Sequence, residues 1–351
     1  MKHLYDGLLE ILDRHGRAAL ALVIATEGSA PQVPGAAAVF TAAGLEAGTV
    51  GGGLLEATIQ ALALRALDDR LCRLVRVALD AEEAEADGAI CGGSVTVLID
   101  PLADEERPVV ERAVAARRSR RPGALLTTLQ PLQDDLVSVA KDWLPREKFR
   151  ELALPGRGDA VRGELERAWA LAEPRLVELK GDRLFIEPVL PSPRLVIAGA
   201  GHVGKAVAHL GNLLDFEVTV IDDRAEFANR ANVPDAAHVV VEDIAAAVGA
   251  IPEDPDNYFV LVTRGHRHDA EALRACIKSR AAYIGMIGSR HKVGLLKEEF
   301  LGKGWAAAEE WARVHTPIGL PIHSRTVAEI AVSIAAELVK VRAERQGGAK
   351  T

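Results

Sequence analysis

The sequence predicts an α/β protein with two domains: an N-terminal mixed α/β domain over residues 1–190, then a Rossmann-like domain with a doubly wound parallel sheet over 191–351. Three observations lead there. The second half alternates short apolar runs with helical patterns. The string Gly199-Ala200-Gly201-His202-Val203-Gly204 sits between one such run and a helix. Pro188, Pro191 and Pro193 crowd the point where the pattern changes, which suits a domain boundary near 191.

In chain order, an amphipathic helix runs to about Gly16, and residues 19–26 form a strand leading into a loop rich in glycine and proline. Apolar residues resume at 36–41. After Gly51-Gly52-Gly53, Leu55, Ile59 and Leu62 share one face of a helix that should end near Asp68-Asp69. Residues 71–79 and 94–99 read as strands around the acidic stretch 80–87, a solvated loop or surface helix. Residues 176–189 read as a hairpin turning at Gly181-Asp182. Beyond the boundary come strands at 194–198, 217–221, 238–241, 258–263 and 282–287, with helices from His202, His268 and Arg290. The closing helix opens with a capping box, Thr326 and Glu329, and carries Ile330, Ile334 and Leu338 on one face.

Composition narrows the function. Hydrophobic residues at 49% and charged residues at 26% are ordinary for a globular chain. The net charge of −8 makes a long nucleic-acid backbone a poor main partner. The longest apolar run, residues 18–25, falls far short of the ~20 needed to span a bilayer, and the opening residues lack a signal-peptide core, so a cytoplasmic protein is expected. Three scattered cysteines, Cys72, Cys91 and Cys276, do not make a disulfide framework.

The sharpest motif is Gly199, Gly201 and Gly204 after a strand and ahead of a helix. The first glycine allows a tight turn, the second lets a pyrophosphate approach the backbone, and the third lets helix and strand pack closely. Asp222, at the end of the next strand, is placed to accept bonds from a ribose. Two later strand ends also gather polar groups. Arg264 and His266 belong to a loop with two histidines and two arginines that suits an anion better than a metal, although Asp269 could simply be capping a helix. Ser289 and Arg290 open a helix, as a phosphate seat or a polar turn. In the first domain Gly51, Gly52 and Gly53, with Glu56 in the following turn, form either an anion nest or a tight packing turn. Cys91, followed by two glycines, is open to close approach by a soft metal, whereas Cys72 and Cys276 fall in apolar periodic segments and read as core.

Taken together these strings resemble the XdhC/CoxI family, accessory proteins of molybdenum hydroxylases such as xanthine dehydrogenase. The first-domain likeness rests on residues 27–31, Gly35-Ala36, the run from Gly48 to Glu56, and Cys91-Gly92-Gly93 leading into a strand. In the second domain it rests on residues 199–204, 263–266, 282–290 and Pro317-Ile318-Gly319-Leu320. The sequence departs from the family pattern at Gln32 and Ala37, where basic residues are usual, and at His323, Ser324 and Val327. The resemblance implies a chaperone that binds molybdenum cofactor, as molybdopterin or its dinucleotide form, protects it during sulfuration and delivers it to a molybdenum hydroxylase apoenzyme. It implies a cysteine desulfurase or other sulfur donor as a second partner, Cys91 as a molybdenum contact, and a homodimer. Two other classes fit the residues: an NAD(P)-dependent oxidoreductase with His266 as acid/base group, and a nucleotide-sensing regulatory module without catalysis.

Overall fold

The computed structural model describes residues 4–79, 93–102, 106–151 and 158–347. Its contacts divide the chain into two compact units, Met1–Pro191 and Ser192–Thr351.

Unit 1 is built on two antiparallel sheets. The first has the order β3-β2-β1-β5-β4, from β1 (Ala19–Gly28), β2 (Ala37–Thr41), β3 (Gly44–Gly48), β4 (Arg73–Leu79) and β5 (Gly93–Asp100). The second has the order β7-β6-β9-β8, from β6 (Gly123–Pro131), β7 (Val137–Pro145), β8 (Arg175–Glu178) and β9 (Arg183–Val189). Strand β1 reads as a continuous apolar run because both its faces are covered. Ala19, Ala21 and Val23 pack with Leu55, Ile59 and Ala63 of helix Gly53–Asp69. Leu20, Leu22 and Ile24 pack on the other face with helix Leu4–His15, helix Arg107–Arg118 and Phe185 of the second sheet. Helix Gly158–Leu171 covers the far side of that second sheet through Val161, Leu165 and Ala168. The hairpin expected at 176–189 is β8 paired antiparallel with β9, closed by the Leu179 N–H donating to the Asp182 carbonyl. The strand expected from Leu71 starts at Arg73, because Arg70 ends the preceding helix in a left-handed conformation and turns the chain. The acidic stretch 80–87 lies outside the described residues.

Unit 2 carries a six-stranded parallel sheet in the order β12-β11-β10-β13-β14-β15, from β10 (Arg194–Ala198), β11 (Glu217–Asp222), β12 (His238–Val241), β13 (Asn257–Leu261), β14 (Tyr283–Met286) and β15 (Val314–His315). Numbered within the unit this is 3-2-1-4-5-6, the Rossmann order, with its switch point between β10 and β13. Alternation along β10 divides the core. Leu195 and Ile197 face helices His202–Leu213 and Val327–Gly347, while Val196 and Ala198 face helices Ile244–Gly249, His266–Cys276 and Arg290–Gly302. Ile197, Ile334 and Leu338 are fully buried, each stabilising the fold by roughly 2–3 kcal/mol. The closing helix is capped as its sequence predicts: the Glu329 N–H donates to Thr326 Oγ1 (3.2 Å) and the Thr326 N–H to the Glu329 carboxylate (3.0 Å). The helix expected from His268 starts at His266, since Gly265, at φ +92°, turns the chain into it immediately after Arg264. Among the described residues no helix is long and apolar enough to cross a membrane.

Candidate functional site

The carboxyl ends of β11, β10 and β13 lie side by side and build the site upward from the glycine turn. A Cβ on Gly199 (φ +115°) would sit 2.5 Å from the Val262 carbonyl oxygen, and one on Gly204 would sit 1.8 Å from the Gly199 carbonyl oxygen. Both glycines are therefore required by the protein's own packing. Gly201 differs: nothing lies within 4 Å of an added Cβ. The helix that follows has no acid in its first turn and no side-chain cap bond. The turn thus combines open room with the positive end of a helix, the arrangement that receives a phosphate.

Asp222 is buried, and its oxygens already have partners: the Ala200 N–H (2.8 Å), the Arg224 N–H (3.1 Å) and the Arg224 guanidinium (2.9 and 3.0 Å). Burial acts to raise its pKa, but the Arg224 guanidinium and these N–H groups outweigh it and hold the carboxyl below the usual range. Asp222 therefore ties the glycine turn to the end of β11. The neighbouring Asp223 is exposed and pairs with Arg264 (2.9 Å). Because Arg264 follows β13 and Asp223 follows β11, this ion pair spans the carboxyl end of β10. Asn232 adds a bond to the Ala200 carbonyl (3.1 Å), and Arg224 stacks on Phe227 at 3.9 Å.

The loop after β13 does not gather its cations around one anion. Arg264 turns to Asp223, Arg267 pairs with Glu271 (3.0 Å), and His268 lies 3.9 Å from the same carboxylate. Asp269 instead organises the loop, accepting from the Thr263 N–H (3.0 Å) and hydroxyl (2.6 Å). His266 heads the helix, and its side chain lies outside the described residues. Beside this loop a cavity of about 250 Å³ opens at the ends of β13 and β14, lined by Thr263, Gly265, Asp269, Ser289 and Lys292 among others. Ser289 is the N-cap, accepting from the Lys292 N–H at 3.4 Å. Arg290 is exposed and is not among the lining residues; the cation at this cavity is Lys292, two positions further on.

In unit 1 the turn Gly51-Gly52-Gly53 has positive φ throughout. Glu56 accepts from the Thr49 hydroxyl (2.6 Å) and the Val50 N–H (3.4 Å), which puts a negative charge in the first turn of the helix that this turn opens. Cys91 lies outside the described residues. Cys276 is buried, and burial pushes its thiol up to about 12. Cys72 packs, half-buried, against the apolar core of unit 1 as expected and also lies beside Asp100 (3.7 Å), and burial, with Asp100 next, raises its pKa strongly. The Pro317-Ile318-Gly319-Leu320 loop is held by Glu337, which accepts from the Gly319 N–H (2.8 Å) and the Tyr283 hydroxyl (2.5 Å) and contacts His315 (3.1 Å).

Sequence reading passed over Asp223, Arg224 and Asn232 around the glycine turn, and a buried polar group in unit 1; at the Ser289 turn, where Arg290, His291 and Lys292 are all candidate cations, the cavity is lined by Lys292. In unit 1 Lys141 is fully buried against Asp100, with Glu106 at 3.3 Å, and the Tyr5 hydroxyl donates to Glu187. One signal was available: Glu187 is a lone acid in the apolar run 184–189.

A Rossmann sheet with an open glycine turn, joined to an antiparallel α/β unit, defines the class of protein. The XdhC Rossmann domain model matches residues 195–338, and the XdhC and CoxI family model matches residues 11–78. The chain belongs to the XdhC/CoxI family. It is 25% identical to a Bacillus subtilis (strain 168) protein named as a probable subunit of xanthine dehydrogenase, over 97% of this chain and 98% of that one. It is 38% identical over 157 residues to the uncharacterised protein YqeB of Escherichia coli (strain K12), a match covering 44% of this chain and 28% of the length of YqeB. A solved Bacillus halodurans structure described as a xanthine dehydrogenase shares the fold, with a TM-score of 0.75 at 22% identity over 97% of this chain and 96% of that one.

Proposed function

We propose that the protein is an accessory chaperone that binds molybdenum cofactor, supports its sulfuration and aids its insertion into a xanthine dehydrogenase-type molybdenum hydroxylase. The observation that carries this reading is family similarity in both units, in the same order, with near full-length similarity to a protein named as a probable subunit of xanthine dehydrogenase. A cysteine desulfurase or similar sulfur donor is the second partner this role requires.

The residues suit the phosphate-bearing part of such a cofactor, whether molybdopterin or a dinucleotide. Gly201 leaves room against the backbone, and the first turn of helix His202–Leu213 offers N–H groups and a favourable dipole. Ser289 and Lys292 line the adjacent cavity and can hold a second oxyanion. The cofactor supplies a soft metal centre, for which a thiolate from Cys91 is a matching ligand. An NAD-dependent oxidoreductase is less well supported: the ribose contact it would ask of Asp222 competes with Ala200 and Arg224 for the same oxygens.

Purification of the full chain from a molybdenum-replete host, followed by assay of released pterin and metal, tests the proposal. Co-purifying cofactor that activates apo-hydroxylase on mixing is the expected result. A chain that carries no pterin and does not change the activation of apo-hydroxylase by free cofactor overturns it.

A further inference from the structure

The helix Val327–Gly347 of unit 2 has two apolar faces, and the core takes only one of them. Ala331, Ile334, Leu338 and Val341 pack inward with Val207 and Ala208 of helix His202–Leu213. On the opposite face Ala328, Val332, Ala336, Val339 and Ala343 recur every three or four positions, which aligns them in one stripe along the helix. Val332 and Val339 are 50% and 37% exposed, Ala328 and Ala343 are exposed, and Ala336 is half-buried between them. Leu213, 64% exposed, stands at one end of the stripe, because Arg342 donates to the carbonyl of the next residue, Leu214 (2.7 Å). A helix that is apolar all round is ordinarily covered all round.

Charge indicates what covers it. Glu329, Lys340 and Glu344 stand exposed along one flank of the stripe. Both capping bonds to Glu329 fall on a single oxygen, from the Arg325 and Thr326 N–H groups (2.6 and 3.0 Å), so its other oxygen is left to accept from outside. Lys340 reaches Glu344 only at 3.8 Å. The flank thus carries an acid near its start and a base near its end, and read backwards it is its own complement. Turning a second copy antiparallel about a two-fold axis beside Ala336 sets Ala328 against Ala343 and Val332 against Val339. The same flank of each helix meets across such an axis, which brings Glu329 of each copy alongside Lys340 of the other. The alanines in the stripe let the two helices approach closely.

We propose that the outer face of helix Val327–Gly347 binds a second copy of this chain, the two helices pairing antiparallel across a two-fold axis through the Val332–Val339 stripe. Apolar burial supplies the affinity, whereas the exposed charge pairs add little to it and fix the direction. One helix per copy is a small contact, so the dimer dissociates on dilution. The pairing does not rest on cofactor binding, and either idea can fail alone.

Sedimentation equilibrium of the full chain tests the pairing, and a reversible monomer–dimer equilibrium is the expected result. Val332→Glu combined with Val339→Glu, at two exposed positions, should raise the dissociation constant at least tenfold and leave the thermal melt unchanged. Lys340→Glu, which sets acid against acid, should raise it several-fold. Direction is read by mixing chains that carry Ala328→Cys with chains that carry Ala343→Cys under mild oxidation: disulfides joining one kind to the other should outnumber those within either kind. A wild-type chain that stays monomeric at high micromolar concentration, a dimer that survives the double glutamate substitution or is unweakened by Lys340→Glu, or Ala328→Cys chains that link chiefly to one another would overturn the proposal.

Discussion

The two glycine-rich turns, Gly51-Gly52-Gly53 in unit 1 and Gly199 to Gly204 in unit 2, look alike as strings: each follows extended chain and opens a helix. Their surroundings separate them. In unit 1 the first turn of the helix carries an acid, Glu56, whose carboxylate reaches back to Thr49 and Val50 at the entry to the turn. In unit 2 the helix opens without an acid, and the nearby carboxylate, Asp222, is buried behind the turn and bonded to Ala200 and Arg224. A carboxylate thus stands at the helix start in one turn and behind the turn in the other. Open space does not separate the two turns, because an added Cβ would meet nothing within 4 Å at Gly52 or at Gly201; what differs is the acid in the first turn of the helix, Glu56 in unit 1 and none in unit 2.

The largest effects should come from treating the three unit 2 glycines as if they were equivalent. Gly204→Ala forces a Cβ to 1.8 Å from the Gly199 carbonyl oxygen, and should cost more than about 3 kcal/mol in denaturant unfolding or prevent folding. Gly201→Ala, with nothing within 4 Å, should change unfolding by less than about 1 kcal/mol yet weaken nucleotide or cofactor binding. If the two substitutions destabilise equally, the distinction between packing and ligand glycines is wrong.

Next in size is a pH effect from the carboxylate that unit 1 keeps buried. Glu187 in the folded chain titrates near 7, while the unfolded side chain has an ordinary pKa of about 4.3. The native state therefore binds the extra proton between these values, and stability falls as pH rises through that window, levelling off above 7. The contribution is on the order of 3 kcal/mol. Urea unfolding at pH 5.5 and pH 8 should show the loss, and Glu187→Gln should remove most of it while stabilising the chain at pH 8. A Glu187→Gln curve that keeps the full slope would place the titration elsewhere.

Asp222→Ala should follow, costing about 2–3 kcal/mol by removing the brace between Ala200 and Arg224. Because Asp222 is held below the usual carboxylate range, its contribution is present at neutral pH and disappears as pH falls through the folded pKa, so wild type and variant should converge in strong acid. Thermal melts across pH would reveal the convergence; parallel curves would mean the aspartate acts through packing alone. The smallest effect is expected at Glu56→Gln, under about 1 kcal/mol at an exposed site, accompanied by new stabilisation of unit 1 by sulfate. Absence of any sulfate response would mean that the charge of Glu56 is not what separates the two turns.

Much of unit 2 was legible because parallel strands covered on both faces read as short apolar runs, and the glycine string falls between β10 and its helix. The side chains at the site were harder to read. Asp222 and Asp223 are adjacent acids at a strand end where side chains point to opposite sides, and spacing alone favoured the one that proves to be buried. Arg290 and Lys292 pose the same difficulty on a helix: two positions apart they face different directions, and Lys292 lines the cavity. In unit 1 the contacts of Glu187 with Tyr5 and of Lys141 with Asp100 join residues far apart in sequence, which no local pattern announces.

The central claim, that the open turn of unit 2 is the seat through which a cofactor is held for delivery, is tested most directly by activation of an apo-hydroxylase. Wild-type chain and Gly201→Val, matched for thermal stability, would be loaded with molybdenum cofactor and mixed with xanthine dehydrogenase-type apoenzyme, and the recovered hydroxylase activity measured. The account predicts activation by the wild type and at least a tenfold loss with Gly201→Val, in parallel with lost cofactor retention. Equal activation by the two chains would contradict it.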